Sequence, residues 1–246
     1  MIRTALTLAR RELASFFYSP IAYGVAAIVL LLNGGIFYIA LTAMRGDLKQ
    51  SVAVLYGGFY LYWFVAILVP PLLTMRLFAE EKRSGTIEVL MTAPVTDAAV
   101  VTGKYLAVVL YYALLWLPTL LYVALARALG GNPDLGTAAA SLVATVLTGA
   151  LFLAIGLFTS ATTSNQVLAA ASGVVINLLL FFLPLLAYVV TKPSTREFLE
   201  RYSLMEIYQV AFLNGVVDTA HIVYFLSLTA FFLFLTVRTV EARKWR

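Results

Sequence analysis

The chain has no cysteine and only one histidine in 246 residues, which leaves thiolate and imidazole chemistry almost nothing to work with. A disulfide scaffold is excluded, and a conventional zinc, haem or iron–sulfur centre lacks its ligands. Charge is equally scarce. Asp, Glu, Lys and Arg make up 12% of the residues, against about 25% in soluble domains, too little to cover a water-facing surface. No Gly-x-x-x-x-Gly-Lys-[Ser/Thr] phosphate loop occurs, because the one Gly-Lys pair, Gly103-Lys104, is followed by Tyr105. The chain therefore has no such machinery for hydrolysing ATP, and the reading is that it is not an enzyme. Acidic and basic residues are also missing from the middle of every long apolar run, which speaks against a proton- or sodium-driven carrier.

What is present is apolar: 62% of the residues are hydrophobic and the mean hydropathy is +0.94. Those values describe a membrane protein and exclude a disordered chain or a nucleic-acid-binding domain. The net charge of +5 is then read as basic flanks on membrane helices. About 20 apolar residues cross the hydrocarbon core, and six runs qualify: Pro20 to Ala43, Ser51 to Met75, Tyr105 to Ala126, Ala138 to Thr159, Gln166 to Val190 and Ala220 to Val237. No charge occurs from Leu135 to Thr191, so that stretch is a hairpin of two spans broken at the polar run Ser160 to Gln166. The first run is too long for a signal-peptide core and is read as a retained span. Eleven lysines and arginines fall on the side of the N-terminus and six on the other, which puts both termini in the cytosol.

Three segments are neither span nor plain loop. Ile2, Leu6, Ala9, Leu13 and Phe16 recur at helical spacing, so residues 1–18 read as an amphipathic helix in the membrane interface, or as a basic start that only fixes topology. Between the second and third spans, Gly85 can break the emerging helix, and Thr86 can cap a short new one that favours Glu88 in its first turn and stops before Pro94. This insert, 77–97, is either a partner surface or a charged loop that holds orientation. After the fifth span, Ser194 and Glu197 form a capping box for a helix within 192–215 that carries Phe198, Leu199, Tyr202, Met205 and Tyr208, read as a lid on the bundle. His221 needs no special role in the interface. Asn33 and Asn177 suit interhelical hydrogen bonds at least as well as a substrate site. Gly156-x-x-x-Ser160 and Ala169-x-x-x-Gly173 allow close helix approach, within the bundle or across a dimer seam, and Pro70-Pro71, Pro118 and Pro184 predict kinks.

The insert Glu80-Glu81-Lys82-Arg83-Ser84-Gly85-Thr86-Ile87-Glu88-Val89-Leu90 with Pro94-Val95 resembles that of ABC-2 type permeases. So do Arg11-Glu12-Leu13 with Ser19-Pro20-Ile21-Ala22-Tyr23, Thr163-Ser164-Asn165-Gln166, and the ending from Tyr224 to Trp245. Within that family it resembles the bacterial branch of gliding-motility and copper-enzyme maturation permeases, and the gliding-motility permeases more closely at its two ends. The resemblance implies one all-α membrane domain over 1–246, with six spans, an interface helix, a cytosolic coupling helix and a short extracytoplasmic helix before the last span. It implies a permease subunit in the bacterial inner membrane, paired with a second copy or a related permease and driven by two separate ATPase subunits that hold ATP and magnesium. This chain itself would hold no cofactor, bind no nucleic acid, and contact the lipid bilayer. A membrane protein with a large periplasmic domain is a further partner of such assemblies. Glu80, Glu81, Gly85, Thr86, Ile87, Glu88, Leu90 and Pro94 would form the ATPase interface, with Thr163, Asn165 and Gln166 as a second cytosolic contact. Two outcomes stay open, solute export and relay of ATPase motion to a periplasmic partner without solute transport.

Overall fold

A computed structural model describes residues 2–58, 60–86, 95–128, 130–188, 190 and 192–242. Those residues are helical with no strand, as expected where lipid leaves backbone groups only intrahelical partners. Helix α1 spans Ile2–Phe17 and α2 Pro20–Ala43; α3 is the short helix Leu48–Ala53, and α4 is Tyr60–Arg83. The third crossing is α5, Asp97–Trp116, followed by α6, Thr119–Ala128, and the hairpin is α7, Leu135–Thr162, with α8, Gln166–Phe182. Beyond it come α9, Pro193–Arg201, α10, Leu204–Val210, and α11, Thr219–Glu241. Among the described residues, six stretches are long and apolar enough to cross a membrane, and each overlaps one of the six runs in the sequence.

The starts and breaks follow local chemistry. Pro20 takes the first position of α2 after an extended Ser19, where a missing N–H costs nothing. Asp47, Thr96, Asp134, Asn165, Ser203 and Asp218 each cap the following helix by accepting from a first-turn amide. The third crossing divides at Leu117 and Pro118, as that proline predicts. Gly85 has φ +73°, just past the end of α4, the left-handed conformation glycine adopts freely. The expected capping box at Ser194 is displaced: α9 begins at Pro193, so proline occupies the first turn and Ser194 lies inside the helix. The segment is also two helices, with Tyr202 and Ser203 between them, because Ser203 caps its own helix through the Glu206 amide at 3.2 Å.

Helices α4 and α7 form the centre. In α7, 72% of the most apolar stretch is buried, against 17% in α8 and α11, so the latter two wrap a core they do not make. Small residues let the central helices touch. A Cβ on Gly156 would lie 2.1 Å from Thr74 Oγ1, and one on Gly173 would lie 3.1 Å from both Pro71 Cβ and Thr159 Oγ1. Both small-residue spacings are thus used inside this chain, around the Pro70-Pro71 pair, which α4 carries within one continuous helix. Pro71 has no amide for the Ile67 carbonyl four residues earlier. Asn177 Nδ2 donates to that carbonyl at 3.2 Å, which explains a fully buried amide in α8. At the end away from the termini, Tyr62, Trp63, Tyr112, Trp116, Tyr208 and Phe212 fill the space between helices.

Candidate functional site

An even number of crossings puts α1, the residues joining α4 to α5, the turn joining α7 to α8, and the end of α11 at one end of the bundle. The structure ties these parts together around one cation. Lys104, on α5, is 3% exposed, and an ammonium so buried is tolerable only if paired. Its Nζ donates to Glu12 Oε1 of α1 at 2.9 Å and to Glu81 Oε1 of α4 at 2.6 Å, and it lies 5.5 Å from the centre of the Phe78 ring. One positive charge thus joins three helices. Glu81 Oε2 is buried with no hydrogen bond among the described residues, so the negative side of the cluster is not saturated.

Helix geometry explains why Glu12 can reach. Ala5, Ala9, Glu12 and Phe16 fall on one face of α1 at steps of four and three, and the three apolar members are buried. That face rests on α5 at Gly103, where an added Cβ would meet Ala5 O at 2.9 Å and Leu8 Cβ at 2.9 Å. The interface-helix expectation therefore needs correction at one position of its face: Ala5 replaces Leu6, which is 55% exposed, because the close contact with Gly103 admits only a small side chain there, while Ala9, Leu13 and Phe16 face the protein as expected. Phe16 stacks on Tyr111 with centroids 4.8 Å apart, and Arg76 crosses the other parts by lying over the Phe16 ring and donating to Ser19 Oγ at 2.6 Å. The corner between α1 and α2 is thereby held to both α4 and α5.

The neighbouring turn is fastened to α4 as well. Lys82 Nζ donates to the Ala161 carbonyl. Ser160 Oγ accepts from the Phe78 and Ala79 amides, each at 3.1 Å, and donates to the Met75 carbonyl at 3.0 Å. Between α1, α4 and α5 opens a cleft of about 340 Å³ walled by Glu12, Arg76, Glu80, Glu81, Ser84 and Lys104.

The sequence-predicted residues distribute unevenly over this end. Glu80 is exposed on α4, Glu81 is committed to Lys104, Gly85 is exposed just past α4, and Thr86 exchanges a hydrogen bond with Ser84 Oγ at 2.9 Å. Ile87, Glu88, Leu90 and Pro94 lie outside the described residues. Thr163 Oγ1 accepts from the Asn165 amide, and Asn165 Oδ1 caps α8 through the Val167 and Leu168 amides; Gln166 opens α8 half-buried. The Lys82–Ala161 bond brings the 80–86 and 161–166 stretches to one place. Sequence reasoning gave Glu12, Lys104 and Gly103 no place in the site, and read Ser160 as a small residue at a helix contact. The available signal was position: Lys104 shares a face with Val100, Val101 and Val108, all buried, so a lysine there has to find an anion.

Residues 6–238 match the family model described as ABC-2 family transporter protein. No curated protein matches the sequence.

Proposed function

Because the chain belongs to the ABC-2 family of transporter proteins, we propose that it is the permease subunit through which separate ATPase subunits do work across the bacterial inner membrane. Its share of the task is mechanical. The observation that carries this reading is the Lys104 joint: the helix that runs into the 77–97 insert, the start of the third crossing and α1 all meet on one buried cation. A push on the insert is then delivered to the second and third crossings and to α1 together. Two ATPase subunits would supply ATP and magnesium, and a second permease copy would complete the membrane domain. The insert would dock as a coupling helix on the cytosolic side, with Ile87, Glu88 and Leu90 toward the ATPase and Glu80, Gly85, Thr86 and Pro94 framing it. Thr163, Asn165 and Gln166 would add the second contact. Glu81 would serve this interface indirectly, by fixing the helix through Lys104.

Relay of force without solute transport is the second reading, in line with the gliding-motility branch. It is favoured by the aromatic filling of the far half of the bundle, which leaves any solute path to run between copies along the sparsely covered α2, α8 and α11.

The direct test uses single cysteines in this cysteine-free chain at Lys82, Asp134 and Arg196, with an impermeant thiol reagent on intact cells. Labelling only at the latter two is expected. Labelling at Lys82→Cys would overturn the orientation. The isolated chain should hydrolyse no ATP, while a co-expressed ATPase should change its turnover when the permease is present.

A further inference from the structure

Tyr208 belongs to α10, in the segment between the fifth and sixth crossings, yet it is completely buried. Its hydroxyl donates to the Ser141 carbonyl of α7 at 3.1 Å, accepts from the Tyr62 hydroxyl of α4 at 2.9 Å, and lies 2.7 Å from Thr145 Oγ1 of α7. Its ring stands edge-on to Trp63, centroids 5.1 Å apart. It also covers Gly57, whose φ of +126° and whose missing Cβ, which would come within 2.7 Å of Tyr208 Cε1, both require glycine. Trp63 Nε1 donates to the Gly57 carbonyl at 3.1 Å and fixes the turn beneath the ring.

Apolar packing alone would hold a lid with a phenylalanine here. A hydroxyl taken out of water is costly unless satisfied, and a satisfied one fixes a single register, because sliding breaks every bond at once. We propose that Tyr208 is the positioning residue that makes the far segment 193–217 follow α4 and α7, so that displacement of α4 at its Lys104 end reaches the opposite surface as displacement of α10. The relay rests on the permease reading above; the tether itself rests on the geometry of Tyr208.

Hydrogen–deuterium exchange on the full chain in lipid nanodiscs, with its ATPase and with or without Mg-ATP and vanadate, tests both. In the wild type, trapping the nucleotide changes exchange at 76–86 and at 204–214. Tyr208→Phe keeps the ring and loses its three hydroxyl contacts, so basal exchange at 204–214 rises by about tenfold, the modest net worth of hydrogen bonds that are exchanged rather than simply lost. Its nucleotide response at 204–214 disappears while that at 76–86 persists, which a merely structural role would not produce. Thr145→Val removes one partner and shows the same pattern more weakly, which covers a poorly inserting Tyr208→Phe. A Tyr208→Phe response equal to wild type overturns the proposal. A wild type that responds at 76–86 but not at 204–214 overturns the relay alone. A nucleotide response nowhere in the chain overturns the permease reading and the relay with it.

Discussion

Replacing Lys104 by methionine keeps most of the length of the side chain and removes its charge, leaving Glu12 and Glu81 to face each other across a pocket built for an ammonium. Deleting one partner of a buried ion pair costs about 3–5 kcal/mol. Here the two carboxylate side chains are 21% and 25% exposed, so water recovers part of the loss, and about 2 kcal/mol is expected to remain. That figure is about a 30-fold change in an equilibrium. It should appear locally, because α1 is held to the bundle by this cluster, the Gly103 contact and Phe16, whereas α4, α5 and α7 have an extensive apolar core of their own. Amide exchange in residues 3–17 should therefore quicken about 30-fold with the six crossings unchanged. Stimulation of the partner ATPase should fall. The triple variant Lys104→Met, Glu12→Gln, Glu81→Gln has no stranded charge and should regain most of the α1 protection. Unchanged exchange in α1 after Lys104→Met would refute the joint, and a triple variant as loose as the single one would show that charge pairing is not what holds it.

Other expectations concern separate parts of the molecule. Gly57→Ala forces an L residue to φ +126° under the Tyr208 ring and should cost about 1–3 kcal/mol, read as a lowered melting temperature in detergent. Asn177→Leu strands the Ile67 carbonyl and should cost about 0.6–1.7 kcal/mol. In a Pro71→Ala background that carbonyl gains an amide partner of its own, so a double-mutant cycle should show the Asn177 penalty shrinking, and full additivity would contradict the assignment. Leu90→Asp should leave membrane insertion and stability normal while abolishing co-purification of the ATPase; failure to insert would mean that the side chain packs within the subunit.

The crossings were legible because each is a charge-free run of membrane length, and the first starts where Pro20 gives a local, first-turn signal; the caps at Thr96 and Asn165 are signals of the same kind, whose bonds became apparent in the structure. The break at Pro118 and the stop at Gly85 belong to the same class. The joint was not legible, since Glu12 and Lys104 are 92 positions apart and Lys104 and Glu81 are 23 apart, so no periodicity connects them. Lys104 instead entered the topology count as one more cation. One position of the α1 face was misjudged for a related reason: hydrophobicity favours Leu6 over Ala5, but close packing on Gly103 favours the smaller side chain. Asn177 was recognised as a hydrogen-bonding group, and its partner became apparent only once α8 was seen beside the carbonyl that Pro71 leaves open.

Ser160 limits how the central pair can move. Its hydroxyl is engaged with the Met75, Phe78 and Ala79 backbone, so sliding α4 along α7 by a helical turn, or spinning it about its axis, would break three hydrogen bonds at once. Piston-like travel therefore carries a cost at this level that tilting does not. A tilt in which the stretch of α4 beyond Pro70-Pro71 moves together with the end of α7 would keep all three bonds.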